Sequence, residues 1–249
     1  MNKQELARSI TALLLGVTTV AYSWASSKDK SHAEIAARAA ECVGGAFAAF
    51  AKENLNRLRD GAVEPDLHKT CKPDPKVPTC RKDLGINKHF FNLLDNQQGA
   101  DIEKVTEEFA AVNKLIAGKA SKKSVAFELG ILAHFVSDIS QPLHVGGKKT
   151  DPKEDDYHTK FEHRGDKKSL DTSGCSANLI SGDIAMWQLG NAKQSAPHYK
   201  TISDDFADNG KLDGSAIKMF EQQWRRAVND VADIFRTIFE KDKSYFGAP

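Results

Sequence analysis

The run Val125-Ala-Phe-Glu-Leu-Gly-Ile-Leu-Ala-His134-Phe-Val-Ser-Asp138-Ile-Ser140-Gln-Pro-Leu-His144 is apolar on most sides, yet it carries a histidine and an acid one helical turn apart. A helix that is apolar all round belongs at the centre of a domain. Pro142 stops or kinks it, because proline lacks an N–H and its ring collides with the preceding turn. Asp138 is the odd residue. A carboxylate on a buried helix is costly unless it is paired or bound to a metal.

A second pair follows in His158-Thr-Lys-Phe-Glu162. His134/Asp138 and His158/Glu162 both have i,i+4 spacing, which places the two side chains on one helix face. With His144 between them, five potential ligands fall within 29 residues of a chain that has only 8 His. Imidazole and carboxylate are the ligands zinc takes when no thiolate is used. A single pair reads equally well as a buried His–Asp hydrogen bond; two pairs and an intervening His point to metal. Such a cluster offers a hydrolase a Lewis acid and a hydroxide source at neutral pH.

Outward from this centre the chain is expected to be all-α, one mostly helical domain with the metal cluster between its helices. Residues 31–59 form an Ala-rich helical stretch with Ile35, Cys42, Val43, Phe47 and Phe50 on an apolar face, weakened at Gly44-Gly45. Residues 60–100 carry Gly and Pro punctuation and read as loop-rich. Residues 101–117 are helical, with Val105, Phe109, Val112 and Leu115 in register. Residues 145–175 are polar, 183–193 form a shorter helix, and 216–239 form an amphipathic one with Ile217, Phe220, Trp224, Val228, Val231, Phe235 and Ile238 in a stripe.

At 40% hydrophobic and 28% charged residues the composition is that of a soluble globular chain. A formal charge of +1 provides no bulk field for a polyanion. Residues 1–23 have the pattern of a secretory signal. Lys3 and Arg8 precede an apolar run over residues 10–22, and Ala21 and Ser23 are small residues at −3 and −1 of a cut before Trp24. The run is too short to span a bilayer. The expected domain is then 24–249, secreted or periplasmic, with no later transmembrane segment. Export permits disulfides. Cys42, Cys71, Cys80 and Cys175 allow three pairings, of which Cys71–Cys80 across a Pro-rich loop with Cys42–Cys175 is the simplest.

His-x-x-x-Asp-x-x-Gln-Pro-Leu-His followed by His-x-x-x-Glu resembles the zinc-dependent phospholipase C family and its relatives, the fungal single-strand-specific zinc nucleases. The resemblance implies a helical domain with three Zn2+ ions, one of them bound by a mature N-terminal Trp, here Trp24. It further implies His32 as the ligand shortly after that Trp, Asp66 in Gly61-Ala-Val-Glu-Pro-Asp66 as ligand and base, and His89 in Asn87-Lys-His89 as the next ligand. Asp60 and His68 are rivals of Asp66 and His89. His163 and His198 are assigned no role. One site would use Asp66, His89, His134 and Asp138; a second His144, His158 and Glu162; a third the Trp24 amine and carbonyl, His32 and Asp138. Paired zincs would hold a hydroxide that attacks phosphorus in line, with Asp66 orienting or deprotonating the water.

The implied substrate is a phosphodiester. Glu162 as the last ligand, and the sequence after Gly146-Gly147, resemble the phospholipase branch, so a phospholipid at a membrane surface is the expected partner and single-stranded nucleic acid or nucleotide the alternative. Ser27 and Leu67 stand where the best-known phospholipase branch has an acid and a Tyr that line a choline pocket. A zinc-stabilised exported binding protein is the reading of another class. Structural zinc sites are usually closed by four protein ligands, and the three-ligand set His144, His158 and Glu162 favours catalysis instead.

Processing at Trp24 is open to a direct test. Cleavage creates an α-amine with an ordinary pKa of about 7.7–8.0, able to bind zinc once deprotonated. An uncut chain has an amide nitrogen there whose lone pair is delocalised. A protein beginning at Trp24 should bind one more zinc and be far more active than one retaining Met-Gly ahead of it; equal zinc content and equal rates would remove Trp24 from the site.

Overall fold

The computed structural model describes residues 31–67, 84, 89, 93, 101–146, 158, 160, 161, 174–212 and 214–247. Trp24 and the signal segment, His68, Cys71, Cys80, Glu162 and His163 lie outside the described residues. The described elements are helical, as expected for an all-α chain, and no strand occurs among them.

The expected stretch over 31–59 is three helices: α1 (Ser31–Val43), α2 (Gly45–Glu53) and α3 (Leu55–Leu67). Gly44 has φ 75°, a region open to glycine, and turns the chain between the first two. Asn54 breaks the second junction, with its Nδ2 donating to Phe50 O at 2.9 Å. The loop expected from residue 60 is overturned as far as Leu67, since α3 runs through Pro65. The proline forfeits one backbone bond near the helix end, where few bonds remain to lose. Packing of α3 against α5 outweighs that loss.

α4 (Asp101–Ala117) has the expected bounds. α5 (Lys122–Ile139) is capped by Ser121, whose hydroxyl accepts from Ser124 N, and is buried on every side from Leu129 to Ile139. Pro142 does not kink α5; it is the first residue of the short α6 (Pro142–Val145), where its missing N–H costs nothing. Gln141 caps that helix, its Oε1 accepting from Leu143 N at 2.6 Å. α7 (Ile184–Ser195) starts from the Asp183 cap. Residues 199–209, for which the sequence reading set no expectation, form α8 (Tyr199–Asn209). Its buried Tyr199, Ile202 and Phe206 share one face, and left-handed Gly210 stops it. α9 (Ser215–Lys241) buries Phe220, Trp224, Val228, Val231, Phe235 and Ile238, while Ile217 is half-buried.

α5 is the axis of the domain, with α1, α3, α4 and α9 packed around it. It runs antiparallel to α9: Ser140 bonds Asp230 at one end, and Tyr245 Oη donates to Ala120 O at 2.8 Å at the other. The far end is closed by an aromatic cluster of Phe47, Phe50, Phe235, Phe239 and Phe246. Cys42 and Cys175 form a disulfide that joins α1 to the segment before α7. That segment is an extended strap on α9. Ser176 N, Asn178 N and Ile180 N donate in turn to Asn229 Oδ1 (3.2 Å), Asp233 Oδ1 (2.6 Å) and Thr237 Oγ1 (2.9 Å). Two extended residues and four helical ones advance by nearly equal amounts, roughly 6.6 and 6 Å, so the register holds over the whole strap.

α3 and α5 meet backbone to backbone. A Cβ added at Gly61 would fall within the backbone of Phe127, and one at Gly130 would fall among the backbone atoms of Leu58, Gly61 and Ala62. Gly61→Ala or Gly130→Ala must therefore push the two helices apart. Overpacking of this kind typically costs about 1–3 kcal/mol, and with no flexible side chain to yield the upper end is expected. Chemical denaturation of either variant should show it; wild-type stability in both would mean that the crossing is not tight.

Candidate metal centre

The close approach of α3 to α5 aims Ala62 O at His134. His134 Nδ1 lies 2.8 Å from that carbonyl, which can only accept, so the ring proton is on Nδ1 and Nε2 carries a lone pair. His89 Nε2 faces Leu84 O at 3.3 Å, which leaves the lone pair on Nδ1. His32 Nδ1 lies 2.7 Å from Ser137 Oγ, whose own proton goes to His134 O at 2.9 Å, so His32 donates and its Nε2 is left as acceptor. His144 Nδ1 lies 2.6 Å from His89 O and is oriented likewise. Each ring is thus turned by a partner on its outer nitrogen, as is usual for imidazoles that bind metal through the other.

The inner nitrogens of His32, His89 and His134 converge on Asp138, which has 0% exposure, whereas His144 turns its Nε2 to His158. Its Oδ2 is 3.0 Å from His89 Nδ1 and 3.2 Å from His134 Nε2, and those two nitrogens are 3.0 Å apart. Its Oδ1 is 3.3 Å from His32 Nε2 and has no hydrogen-bond donor. Asp66 Oδ1 approaches His89 Nδ1 at 3.9 Å. Acceptors facing one another with no proton between them repel; a cation among them reverses the sign. Zinc bonds of about 2.0–2.2 Å at tetrahedral angles set ligand atoms about 3.3–3.6 Å apart, within the 3.0 to 3.9 Å spread of these separations. The residues therefore fit a metal, and two groups could each hold an ion: His32, His134 and Asp138, and Asp66, His89 and His134.

Burial pushes His134 down, but the charges of Asp138 and Asp66 outweigh it and its pKa is raised. Burial holds His32 and His89 below the ordinary value. Burial would raise Asp138, yet the imidazoles gathered around it, His134 and His144 foremost, hold its carboxyl well below the usual range.

His158 stands beside His144, with Nε2 atoms 3.2 Å apart, and is half-buried where the others are enclosed. Gln141 Nε2 also reaches His158 Nε2, at 3.2 Å. Of the rival acids, Asp66 is 1% exposed while Asp60 is on the surface, paired with Arg57 at 3.2 Å. His198 sits half-buried in a short turn (Ala196–His198) and takes no part. The described residues thus bring together Asp66, His89, His134 and Asp138, set His32 against Asp138, and place His158 against His144. The carbonyls of Ala62, Leu84 and His89 and the Ser137 hydroxyl had no signal in the sequence, because any residue supplies a carbonyl.

The helical fold thus encloses imidazoles and carboxylates that could hold metal ions around one acid. The profile of the zinc dependent phospholipase C family matches residues 31–228, and the chain belongs to that family. Among solved structures it is similar in fold to the alpha-toxin of Clostridium perfringens from avian strain SWCP, with a TM-score of 0.59 and 16% identity over 86% of this chain and 64% of that one. It is similarly like the alpha toxin of Clostridium absonum, with a TM-score of 0.59 and 15% identity over 85% of this chain and 63% of that one. The chain thus spans less than two thirds of either toxin. No curated protein matches it in sequence.

Removing the central charge tests the cluster. Asp138→Asn replaces an anionic ligand with a neutral amide and should lower bound zinc, measured by metal analysis after gel filtration, and abolish hydrolysis. Full zinc content with near-normal rates would show that Asp138 is not a ligand.

Proposed function

We propose that this chain is an exported zinc-dependent phospholipase C that cleaves glycerophospholipids to diacylglycerol and a phosphorylated headgroup. The observation that carries the reading is the convergence of imidazole lone pairs on the two oxygens of buried Asp138. Oδ2 faces His89 and His134 while Oδ1 faces His32, so each carboxylate oxygen is turned to a different group of imidazoles. In this assignment Asp66, His89, His134 and Asp138 would hold one zinc. His32, Asp138 and the Trp24 amine and carbonyl would hold another, and His144, His158 and Glu162 the third.

Zinc supplies a Lewis acid and lowers the pKa of its bound water from 15.7 toward about 7. Asp66, only 1% exposed, would orient the attacking water and take its proton. His89 and His134 are held in orientation by their carbonyl partners, so ligand geometry is set before substrate arrives. His158 marks the more open side of the cluster, where a phosphodiester can enter. The Cys42–Cys175 disulfide supports an oxidising compartment outside the cytosol, in keeping with a signal segment over residues 1–23.

The mature protein should be assayed side by side on phosphatidylcholine, phosphatidylethanolamine and single-stranded DNA, with and without a chelator. Lipid hydrolysis that is lost with chelator and restored by zinc is expected. Hydrolysis of DNA alone would make the protein a nuclease, and zinc binding without any hydrolysis would make it a binding protein. Asp66→Asn should lower the rate by about a hundredfold or more, the usual share of a general base, with the fold intact. If Asp60→Asn does so instead, the base is the wrong acid.

A further inference from the structure

Asp230 is a buried acid that the proposed chemistry does not use. It lies on α9, 8% exposed. Its Oδ2 accepts the Ser140 hydroxyl at 2.6 Å and faces Arg226 Nε at 3.4 Å. Arg226 in turn donates from Nη2 to Asn191 O of α7 at 2.7 Å. Burial pushes the Asp230 carboxyl up to about 6, against the pull of Arg226 and of the Ser140 hydroxyl. An acid kept in such a place at a cost invites a reason beyond packing.

The reason lies in where Ser140 sits. It is the C-cap of α5, directly before Gln141, which caps α6. Backbone bonds close the turn, from Gln141 N to Asp138 O at 2.9 Å and from His144 N to Gln141 O at 3.0 Å. The turn thus carries Asp138 on one side and His144 on the other, and its angle sets how far apart they stand. Short local bonds hold the shape of the turn but not its place against the rest of the domain. The Asp230 carboxylate holds it from outside, and Arg226 ties that anchor to α7.

We propose that Asp230 is a positioning residue for the metal centre, gripping Ser140 Oγ so that the α5–α6 turn sets the spacing between Asp138 and His144. The proposal rests on the reading of those two residues as zinc ligands. Outer-shell partners of this kind typically contribute about ten- to hundredfold in metal affinity.

The test compares Ser140→Ala, Asp230→Ala, Asp230→Asn and the Ser140→Ala/Asp230→Ala double variant in the mature chain. Zinc affinity is measured by competition with a chromophoric chelator and stoichiometry by metal analysis, with no substrate present. Ser140→Ala and Asp230→Ala should each weaken the most loosely held zinc by about ten- to hundredfold. The double variant should be no worse than either single change, since both remove one interaction. Asp230→Asn keeps an oxygen for the Ser140 hydroxyl and should restore most of the affinity. Ser140→Ala leaves the buried Asp230 carboxylate one donor short and should lower the melting temperature in chelator modestly, but it should still fold and so carries the test if Asp230→Ala does not. Wild-type zinc affinity in Ser140→Ala overturns the proposal, as does a loss that Asp230→Asn shares in full. A wild-type chain that binds no zinc overturns the ligand reading and this proposal with it; a wild-type chain that binds zinc beside an unaffected Ser140→Ala overturns this proposal alone.

Discussion

A fully buried negative charge at Asp138 is the constraint on which the rest of this structure depends. An unpaired carboxylate in an apolar interior is far too costly to persist. It persists here because imidazoles arrive from separate parts of the chain: His32 at the start of α1, His89 between α3 and α4, His134 one turn back on α5, and His144 on α6. Each approach requires its element to end or cross at one place. The helices are therefore arranged around the acid as much as around the apolar core.

Holding neutral imidazoles against a carboxylate needs control of their protons, and the backbone provides it. Ala62, Leu84 and His89 each offer a carbonyl to an outer ring nitrogen. The Ala62 carbonyl can serve only because Gly61 and Gly130 let α3 and α5 touch. Two missing side chains thus decide the tautomer of a histidine elsewhere in the chain. The continuation of α3 through Pro65 has the same origin, because the crossing holds residues in the helix that local preference would release.

Away from the cluster the domain is fastened by means that require no metal. The aromatic cluster closes one end, and the Cys42–Cys175 bond with the strap on α9 closes the side. A bond spanning 133 residues restricts the unfolded chain strongly. The strap also fixes where α7 begins, and α7 supplies the carbonyl that anchors Arg226.

The sequence by itself determined that the chain is helical, that α5 is its buried axis, and that the site is built of imidazole and carboxylate. Periodicity and composition carry that information locally: the uninterrupted apolar run of α5, the stripe of α9, and the four-residue spacing of His134 and Asp138. The same local signals marked the weak point at Gly44-Gly45 but missed the break at Asn54, released α3 at residue 60, and passed over α8, although Tyr199, Ile202 and Phe206 had the spacing of a buried face. Only the tertiary structure decided which acid enters the cluster. Asp60 and Asp66 are alike in sequence terms, but one points to solvent beside Arg57 and the other is enclosed near His89. It alone also decided the ring orientations and the grip of Asp230 on Ser140. These depend on backbone atoms and on contacts between residues far apart in the chain, and a carbonyl has no letter in the sequence to announce where it will point.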